Sequence, residues 1–548
     1  MNRNFVLIEK TVGRIFDEIV AGYPDNEAAV YIDKNLRQTW KELGARVDAL
    51  ARGLMALGIQ PGEKIAIWAG NVPNWIELLF ASAKIGVVSV SINPSYRDKE
   101  LEFILKDSES ETLALIDAGC GFDFLAKMHD EKDGQAINPR LPRLKRLIYM
   151  GDKSVPGMSS IAELLELGKS ISPDEYAARQ RAVDPHGLAN MQYTSGTTGV
   201  PKGVMLSHVN IVNDSYWNGA TQNLGAGDRI CITVPFFHCF GLVASILCAA
   251  HYGCALIILP TVNPALIMHV IEQERCTSLY GVPSLFLAIV KHRNFERTDF
   301  SSLRTGIVGA SICPAPLAEQ IVKKMHMSEV TNAYGQTETS PTMCMTAYDD
   351  TFERRVKTVG RGLPGVEVKI LDVDTRLEVP RGQVGEICCR GFVVMLGYYK
   401  NPVETAATID ADGFLHSGDL GSMDEDSYIT VTGRIKDMII RGGENISPRE
   451  VEELILTLPG VRDVQVVAAP SEKYGEEVSA FIIPMPDAQL TPQSLRAQCR
   501  KKIAGFKIPR HIHFMESYPV TTSGKVQKFK LREMAARLFA GTTQNDSE

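Results

Sequence analysis

The eleven residues from Tyr193 to Gly203, Tyr-Thr-Ser-Gly-Thr-Thr-Gly-Val-Pro-Lys-Gly, constrain what this chain can fold into more than any other stretch. They combine one serine, three threonines, three glycines and one lysine directly after an apolar approach. Glycine accepts positive φ, and inward-turned backbone N–H groups form an anion site that hydroxyl groups and an ammonium group complete. A flexible linker has a similar composition, but linkers seldom lie between apolar runs in mid-chain. The stretch therefore predicts a phosphate-binding loop.

This loop differs from the usual P-loop pattern, G-x-x-x-x-G-K-[ST]. Val200 and Pro201 separate Gly199 from Lys202, and Gly203 stands where the Mg²⁺-binding hydroxyl would be. The sequence therefore indicates a phosphate loop of another kind.

Length and composition limit the class of protein. A chain of 548 residues exceeds what one hydrophobic core supports, so we expect two or more domains. The charged fraction of 22% and hydrophobic fraction of 45% are typical of a soluble globular protein. The net charge, 58 − 65 = −7, argues against a general nucleic-acid binder.

The cysteines and the apolar runs indicate the cellular compartment. The 11 cysteines include no C-x-x-C pair, which argues against a disulfide framework or a zinc site and favours a reducing environment. The N-terminal segment has no signal-peptide core. The longest apolar runs, Leu242–Ala250 and Cys254–Pro260, are too short to span a membrane. We therefore expect a cytoplasmic protein.

Strand and helix patterns alternate through the first 300 or so residues. Lys64–Trp68 reads as a buried strand, a helix capped by Asn71 follows, and Val87–Ile92 is the next strand. A similar alternation resumes after the phosphate loop. Alternation of this kind predicts parallel sheets covered by helices. From about Thr342 the segments become short and alternating, which predicts a small β subdomain over about residues 342–433.

Three further stretches carry candidate chemistry. His238 lies among aromatic residues in Val-Pro-Phe-Phe-His-Cys-Phe-Gly, a setting that also suits an ordinary core histidine. Gly309 opens a turn at the carboxyl end of a predicted strand, where open α/β sheets bind ligands. In Asn332–Thr339, the Thr337 hydroxyl and the Glu338 carboxylate are groups that neutralise a phosphate through a hydrogen bond and a metal ion.

These motifs, in this order, resemble those of the acyl-adenylate-forming enzymes: acyl-CoA synthetases, adenylation domains of peptide synthetases, and luciferases. The resemblance covers essentially the whole chain and implies an α/β fold. Its large N-terminal domain, residues 1–435, would contain two helix-covered, mostly parallel sheets and the β subdomain. A small mobile α+β domain, residues 436–548, would follow a hinge at Lys436. Some stretches look like those of medium-chain fatty acyl-CoA synthetases.

The resemblance also assigns roles to residues. It implies that ATP and AMP contact the phosphate loop and later motifs, at Thr194, Ser195, Gly196, Thr197, Thr198, Gly199, Lys202, Gly309, Ala310, Ser311, Asn332, Tyr334, Gly335, Gln336, Thr337, Asp419, Arg434 and Lys525. It places Mg²⁺ at Glu338 and Thr198. It lines the acyl pocket with Trp217, Phe236, Phe237, His238, Val308, Gly309 and Gly335, and the coenzyme A path with Lys436, Gly442, Gly443 and Lys507.

Four residues carry catalysis in this reading. Lys525 would bridge the acid carboxylate and the α-phosphate, where negative charge accumulates. Thr337 and Glu338 would act at the phosphate, and His238 would flank the carboxylate tunnel. A lysine acyltransferase or deacylase acting on Lys525 would be a regulatory partner.

The expected activity is an AMP-forming acid–CoA ligase that uses ATP, Mg²⁺ and coenzyme A. A medium-chain fatty acid is the first expectation for the acid, and an aromatic or alicyclic acid is the alternative. An adenylation enzyme that loads a carrier protein is a weaker alternative, since Pro235–Gly241 offers no carboxylate to bind an α-ammonium group. A non-enzymatic nucleotide-binding module is disfavoured by the presence of Thr337, Glu338, Asp419 and Lys525 together.

Overall fold

The computed structural model describes residues 5–116, 118–119, 122–123, 141, 143–195, 201–309, 313, 315–500, 502–520 and 526–539. The chain divides into two compact units, Met1–Val368 with Cys389–Leu415, and Lys369–Cys388 with His416–Glu548. The predicted α/β class is confirmed. The predicted domain boundary at residues 435 and 436 stays a prediction. No helix in the described part of the chain is long and apolar enough to cross a membrane.

The first unit contains two large sheets, as predicted. In the nine-stranded sheet the order across the sheet is Arg361–Gly362, Cys344–Met345, Glu329–Tyr334, Thr305–Gly309, Ser278–Leu279, Arg229–Ile232, Ala255–Ile258, Glu27–Tyr31 and Leu36–Thr39. The middle pairs run parallel and the edge pairs antiparallel. In the eight-stranded sheet it is Gly397–Tyr398, Pro201–Ser207, Leu188–Ser195, Val88–Ile92, Lys64–Trp68, Thr112–Leu115, Arg146–Tyr149 and Ser159–Ser160.

Helices pack on these sheets. The helices of the first unit are Val12–Gly22, Trp40–Ala56, Pro73–Lys84, Asp98–Asp107, Ile161–Leu167, Pro173–Arg181, His208–Thr221, Cys239–Gly241, Cys248–Tyr252, Pro264–Glu274, Pro283–Val290, Ala315–Lys324, Phe352–Lys357 and Pro402–Thr408, with a π-helix at Leu242–Leu247. One buried group, which includes Cys231, Ile257 and Phe286, forms a core of the nine-stranded sheet. Another, which includes Trp68, Val90 and Leu113, does so for the eight-stranded sheet.

The later part of the chain is built from smaller sheets. Four strands form a sheet in the order Val366–Leu371, Gly385–Gly391, Leu415–Met423 and Ile429–Arg434. A five-stranded sheet has the path Glu444–Ile446, Ile439–Arg441, Gly475–Pro484 and Val461–Ser471, and His511–Phe514 pairs in parallel with Gly475–Pro484. The helices Pro448–Leu456, Pro492–Cys499 and Lys528–Phe539 accompany it.

One predicted helix cap is wrong. The helix after Lys64–Trp68 begins at Pro73 with Val72 as its N-cap, and no side chain caps it. Asn71 instead uses both ends of its amide on a distant segment: its Nδ2 donates to Val234 O at 3.0 Å, and its Oδ1 accepts from Phe236 N at 2.9 Å. Proline lacks an N–H and its φ suits the first turn, so the helix begins without a side-chain cap.

Candidate active site

Three of the predicted motifs, those of His238, Gly309 and Thr337, follow parallel strands of the nine-stranded sheet. Thr305–Gly309 and Glu329–Tyr334 are parallel neighbours, with Val308 opposite Asn332. Arg229–Ile232 belongs to the same parallel set and leads into the His238 segment. The carboxyl ends of parallel strands lie at one edge of a sheet, so these three strands end at the same edge. Gly309 lies at the carboxyl end of its strand, as predicted.

The His238 segment is fixed from two sides. His238 is the N-cap of the short helix Cys239–Gly241, and its Nδ1 accepts from Phe240 N at 3.2 Å. On the other side Asn71 binds the backbone of Val234 and Phe236. The histidine is therefore held by backbone contacts in a defined orientation.

Cys239 joins the His238 segment to the Thr337 motif. Its Sγ lies 3.7 Å from Thr337 Oγ1, and both side chains are buried. Thr337 begins the 3₁₀ turn Thr337–Thr339. On the same segment the Phe240 ring stacks on Tyr280, with centroids 5.8 Å apart. A Cβ atom built on Gly309 would lie 3.4 Å from the Phe240 ring, so the glycine lets the turn approach that aromatic surface.

Glu338 is held by Tyr398. The Tyr398 hydroxyl donates to Glu338 Oε1 at 2.8 Å, and Met395 N donates to Glu338 O at 3.0 Å. Burial and the Glu338 charge raise the pKa of Tyr398 well above its usual value, so the phenol stays a donor. Tyr398 in turn pairs with Val204 on the strand after the phosphate loop.

The Glu338 carboxylate fits a divalent cation. A neutral phenol, rather than a basic side chain, supplies this hydrogen bond, so the contact orients the carboxylate without offsetting its charge. Carboxylate oxygens are the ligands that Mg²⁺ prefers. Glu338 would hold Mg²⁺, which supplies positive charge next to a phosphate. Thr198, the second predicted ligand, lies outside the described residues.

The strands on either side of the predicted phosphate loop, Leu188–Ser195 and Pro201–Ser207, pair antiparallel. Thr194 is opposite Lys202 and Ser195 is opposite Pro201, while Gly196, Thr197, Thr198 and Gly199 lie outside the described residues. The Lys202 ammonium forms an ion pair with Glu404 and lies 5.0 Å from the centroid of the Tyr398 ring. One tyrosine thus contacts both the phosphate-loop lysine and the Glu338 carboxylate.

Residues around the predicted adenine site are held by their own loops. The Asn332 side chain donates to Thr358 O at 3.1 Å. Tyr334 pairs with Cys344 across the sheet, and the Gln336 backbone N–H donates to Thr339 Oγ1 at 2.9 Å. A Cβ atom at Gly335 would lie 2.1 Å from Pro341 O, so the loop itself requires glycine there.

The predicted acyl-pocket residues fall into more than one aromatic group. Trp217 is buried on the helix His208–Thr221, and its ring centroid is 6.4 Å from that of Phe5. Phe236 is fully buried against Trp75, with centroids 5.7 Å apart, while Phe237 is half-buried. Val308 is buried at the end of its strand. Ala310 and Ser311 lie outside the described residues.

In the second unit Asp419 and Arg434 form an ion pair. Arg434 Nε lies 2.9 Å from Asp419 Oδ1, and the two residues are opposite each other on antiparallel strands. Asp419 is buried and Arg434 is exposed, so a cation at the surface holds a buried carboxylate. Both were predicted at the ribose or phosphate, and the structure brings them together.

The predicted hinge lies in the 3₁₀ turn Ile435–Asp437. Arg532, on the helix Lys528–Phe539, donates to Lys436 O at 3.0 Å and forms an ion pair with Asp437. Partial desolvation and the nearby Arg434 lower the pKa of Lys436 below its usual value. The hinge turn is therefore tied to the last described helix.

The predicted coenzyme A residues lie at two places in the second unit. Gly442 and Gly443 have φ values of +57° and +90° in the turn between two strands, a conformation that favours glycine. Lys507 forms an ion pair with Glu450 at 2.6 Å. Ser447 is the N-cap residue of the helix that begins at Pro448, and its hydroxyl donates to Thr432 O at 2.9 Å instead of binding the first turn of the helix. Lys525 lies outside the described residues.

Sequence reasoning assigned no role to Tyr398, Cys239 or Glu404. All three meet predicted residues only through contacts between distant segments. The sequence offered one signal for Tyr398, the Gly-Tyr-Tyr stretch that contains it, because no strand or helix pattern explained that stretch.

Comparisons with known proteins agree with this geometry. The sequence model of the family described as AMP-binding enzyme matches residues 16–399, and that of the AMP-binding enzyme C-terminal domain matches residues 450–525. A Bacillus subtilis (strain 168) protein named acyl-CoA synthetase YngI is 44% identical over 97% of this chain and 98% of its own length. The human protein named medium-chain acyl-CoA ligase ACSF2, mitochondrial, is 36% identical over 97% of this chain and 88% of its own.

A solved structure shows the same architecture. The crystal structure of ATP-bound MatB from Rhodopseudomonas palustris superposes with a TM-score of 0.83 at 27% identity, over 97% of this chain and 100% of that one.

Proposed function

The chain belongs to the AMP-binding enzyme family and is an AMP-forming acid–CoA ligase, and from this premise we propose that its acid substrate is a medium-chain fatty acid. The similarity to the ACSF2 proteins, which are named medium-chain acyl-CoA ligases, supports this substrate class. The apolar character of the His238 segment supports it as well.

One continuous set of contacts supports the proposal that ATP and the acid bind at this site. Lys202 lies over the Tyr398 ring, and Tyr398 binds Glu338. The preceding residue, Thr337, contacts Cys239, which follows His238. A cation, a carboxylate and a hydroxyl are thereby linked to an aromatic segment, which is the combination needed to join a triphosphate to an apolar acid.

The reaction proceeds in two balanced steps. A carboxylate oxygen of the acid bonds to the α-phosphorus of ATP, and pyrophosphate leaves with the electrons of the broken P–O bond. The coenzyme A sulfur then bonds to the acyl carbon of the adenylate, AMP leaves, and the thiol proton passes to solvent. The enzyme forms no covalent bond to the acid or to the acyl-adenylate, so its residues act by positioning and charge neutralisation.

Each residue has a role in this proposal. Thr337 donates to an α-phosphate oxygen, Glu338 holds Mg²⁺, and Asp419 accepts from the ribose hydroxyls. Lys525 neutralises charge between the acid and the α-phosphate, and acylation of Lys525 by a lysine acyltransferase would remove that charge and silence the enzyme. His238 flanks the path of the thiol.

The second half-reaction uses the hinge. The turn at Lys436 changes conformation between adenylation and thioester formation, an alternation that lets one pocket serve two reactions. Gly442 and Gly443 line the path of the pantetheine arm, since side chains there would narrow it. Lys507 contacts a coenzyme A phosphate after exchanging its partner Glu450.

A panel of acids tests the substrate class. Linear acids from C2 to C16, benzoate and cyclohexane carboxylate are each supplied with ATP, Mg²⁺ and coenzyme A, and kcat/KM is measured from AMP and acyl-CoA. We expect a maximum between C6 and C10. A maximum at a ring acid would contradict the medium-chain proposal and favour aromatic or alicyclic acid activation. AMP without any thioester would point to a carrier protein as the acceptor.

A further inference from the structure

Three side chains in the second unit are spaced like metal ligands. Glu386, Cys388 and His416 each place one ligand atom within 4.8 Å of the others, and they are the one such group of three among the described residues. Their separations are 2.8 Å from His416 Nδ1 to Glu386 Oε2 and 3.3 Å from His416 Nδ1 to Cys388 Sγ. A zinc ion would need ligands of these types.

A protein cation already lies in this cluster. Arg376 Nη1 is 2.6 Å from Glu386 Oε2 and 2.7 Å from His416 Nδ1. A guanidinium at hydrogen-bonding distance from two of the three ligand atoms fills the place of a metal ion and balances the Glu386 charge. These contacts use only Oε2 of Glu386, so the contact of its other oxygen, Oε1, is the next question.

The other oxygen of Glu386 binds the backbone just before Asp419, within the strand Leu415–Met423. Glu386 Oε1 accepts from Gly418 N at 3.0 Å, and Gly418 has φ of +71°. Ser417 Oγ accepts from Asp419 N at 3.0 Å, so the backbone on both sides of the Gly418–Asp419 peptide is bound. Only 3% of the Glu386 surface is exposed. A rigid carboxylate thus fixes the left-handed residue that precedes Asp419.

We propose that Glu386 is a positioning residue for the nucleotide, acting through the Gly418 backbone to aim the Asp419 carboxylate at the ribose hydroxyls. The inference rests on the proposed function, in which Asp419 binds the ribose. Glu386 is buried while its partner Arg376 is exposed. Such an ion pair offsets little of the cost of burying the carboxylate, so the carboxylate calls for another reason. The aim of Asp419 supplies one, since a carboxylate that clamps two hydroxyls depends on its direction.

The test uses two variants and two nucleotides. Glu386→Ala removes all three contacts, and Glu386→Gln keeps the size and one carbonyl oxygen but loses the charge that binds Arg376 and His416. Each is assayed for acid-dependent adenylation with ATP and with 2′,3′-dideoxy-ATP, which offers Asp419 no hydroxyl. Glu378→Gln is the matched control, because Glu378 is an exposed carboxylate of the same unit near Lys369.

The expected result is selective. With ATP, Glu386→Ala lowers kcat/KM about tenfold or more, mainly through KM, and Glu386→Gln lowers it less. With 2′,3′-dideoxy-ATP both variants stay within about twofold of the wild type, and Glu378→Gln is unchanged with either nucleotide. If Glu386→Ala does not fold, the Glu386→Gln comparison decides by the same criterion.

If Glu386→Ala lowered kcat/KM equally with both nucleotides, or did not lower it with ATP, the inference would be overturned. The proposed function would still stand, because the wild type would continue to adenylate the acid. A wild type that used both nucleotides equally well would remove the ribose role of Asp419, and the inference would fail with it. A wild type without acid-dependent adenylation would overturn the proposed function itself.

Discussion

The Tyr398 hydroxyl lies 2.8 Å from Glu338 Oε1, although 60 residues separate the two in sequence. The pairing of Tyr398 with Val204 brings the tyrosine beside the strand that follows the phosphate loop. Tyr398 therefore connects the residue proposed to hold Mg²⁺ with the element proposed to hold the phosphates. This connection makes the orientation of Glu338 sensitive to a residue outside the predicted motifs.

Replacing Tyr398 with phenylalanine removes this hydrogen bond and little else. We expect the Mg²⁺ concentration for half-maximal activity to rise and kcat/KM for ATP to fall about tenfold, since the lost bond has a charged acceptor. Acid-dependent ATP–pyrophosphate exchange across a Mg²⁺ titration measures both. Tyr399→Phe is the matched control, because the Tyr399 hydroxyl binds Glu109 at 2.8 Å instead. Equal effects of the two variants would refute the role of Tyr398.

Asn71→Ala frees the backbone of the His238 segment at Val234 and Phe236. We expect KM for the acid to rise about fivefold, since this segment faces the acid in the proposed site. We expect KM for ATP to stay within about twofold of the wild-type value. Steady-state kinetics with each substrate varied in turn measure the split. Asn74→Ala removes a comparable bond to Met150 O at 2.8 Å and should change neither constant. A rise in KM for ATP alone would contradict this placement.

Lys525→Ala tests the charge proposed between the acid and the α-phosphate. The variant should lose adenylation by about a hundredfold or more and largely retain thioester formation from supplied acyl-adenylate. The two half-reactions are measured separately, with Lys530→Ala as a nearby lysine control. Similar losses in both half-reactions would be incompatible with the assigned role.

Lys436→Pro restricts the backbone at the predicted hinge. We expect acyl-adenylate to form at a near-normal rate and acyl-CoA formation to stop, as measured by single-turnover assays with and without coenzyme A. Lys436→Ala removes the side chain but leaves the backbone free, and should turn over far faster than the proline variant. Normal turnover by Lys436→Pro would refute the hinge.

Asp214 provides a pH test of stability. Burial raises its pKa well above the usual value, although Thr342 N at 3.0 Å and Asn218 at 2.7 Å donate to it. The folded state therefore keeps a proton that the unfolded state loses above about pH 4, and stability falls as the pH rises from there. Asp214→Asn has no such proton, so its melting temperature relative to the wild type should increase between pH 5 and pH 8. A difference that does not change with pH would contradict the assignment.

Local patterns were predictable because their partners are close in sequence. Thr39 and Glu42 form a capping box only three residues apart, and the strand Lys64–Trp68 has the expected bounds. Asn71 was misread as a cap because its partners are 163 and 165 residues away, and an asparagine before a helix has the same appearance in either case.

The sequence predicted which motifs form the candidate site, but it did not predict which of their residues contact each other. Sheet topology follows from the alternation of strands and helices, so Gly309 was correctly placed at a strand end. The position of Tyr334 at the end of the next strand was not predicted. The contact of Cys239 with Thr337 depends on the path of a turn, and that of Glu386 with Gly418 depends on a left-handed residue whose partner is 32 residues away. Neither leaves a periodic signal in the sequence.

The most direct test of the acyl-adenylate route is a two-stage assay with one medium-chain acid, such as octanoate. Without coenzyme A, we expect exchange between ATP and pyrophosphate that depends on the acid. After coenzyme A is added, we expect AMP and octanoyl-CoA in equal amounts. Exchange that does not depend on the acid, or acyl-CoA formed together with ADP, would contradict an acyl-adenylate route in this enzyme.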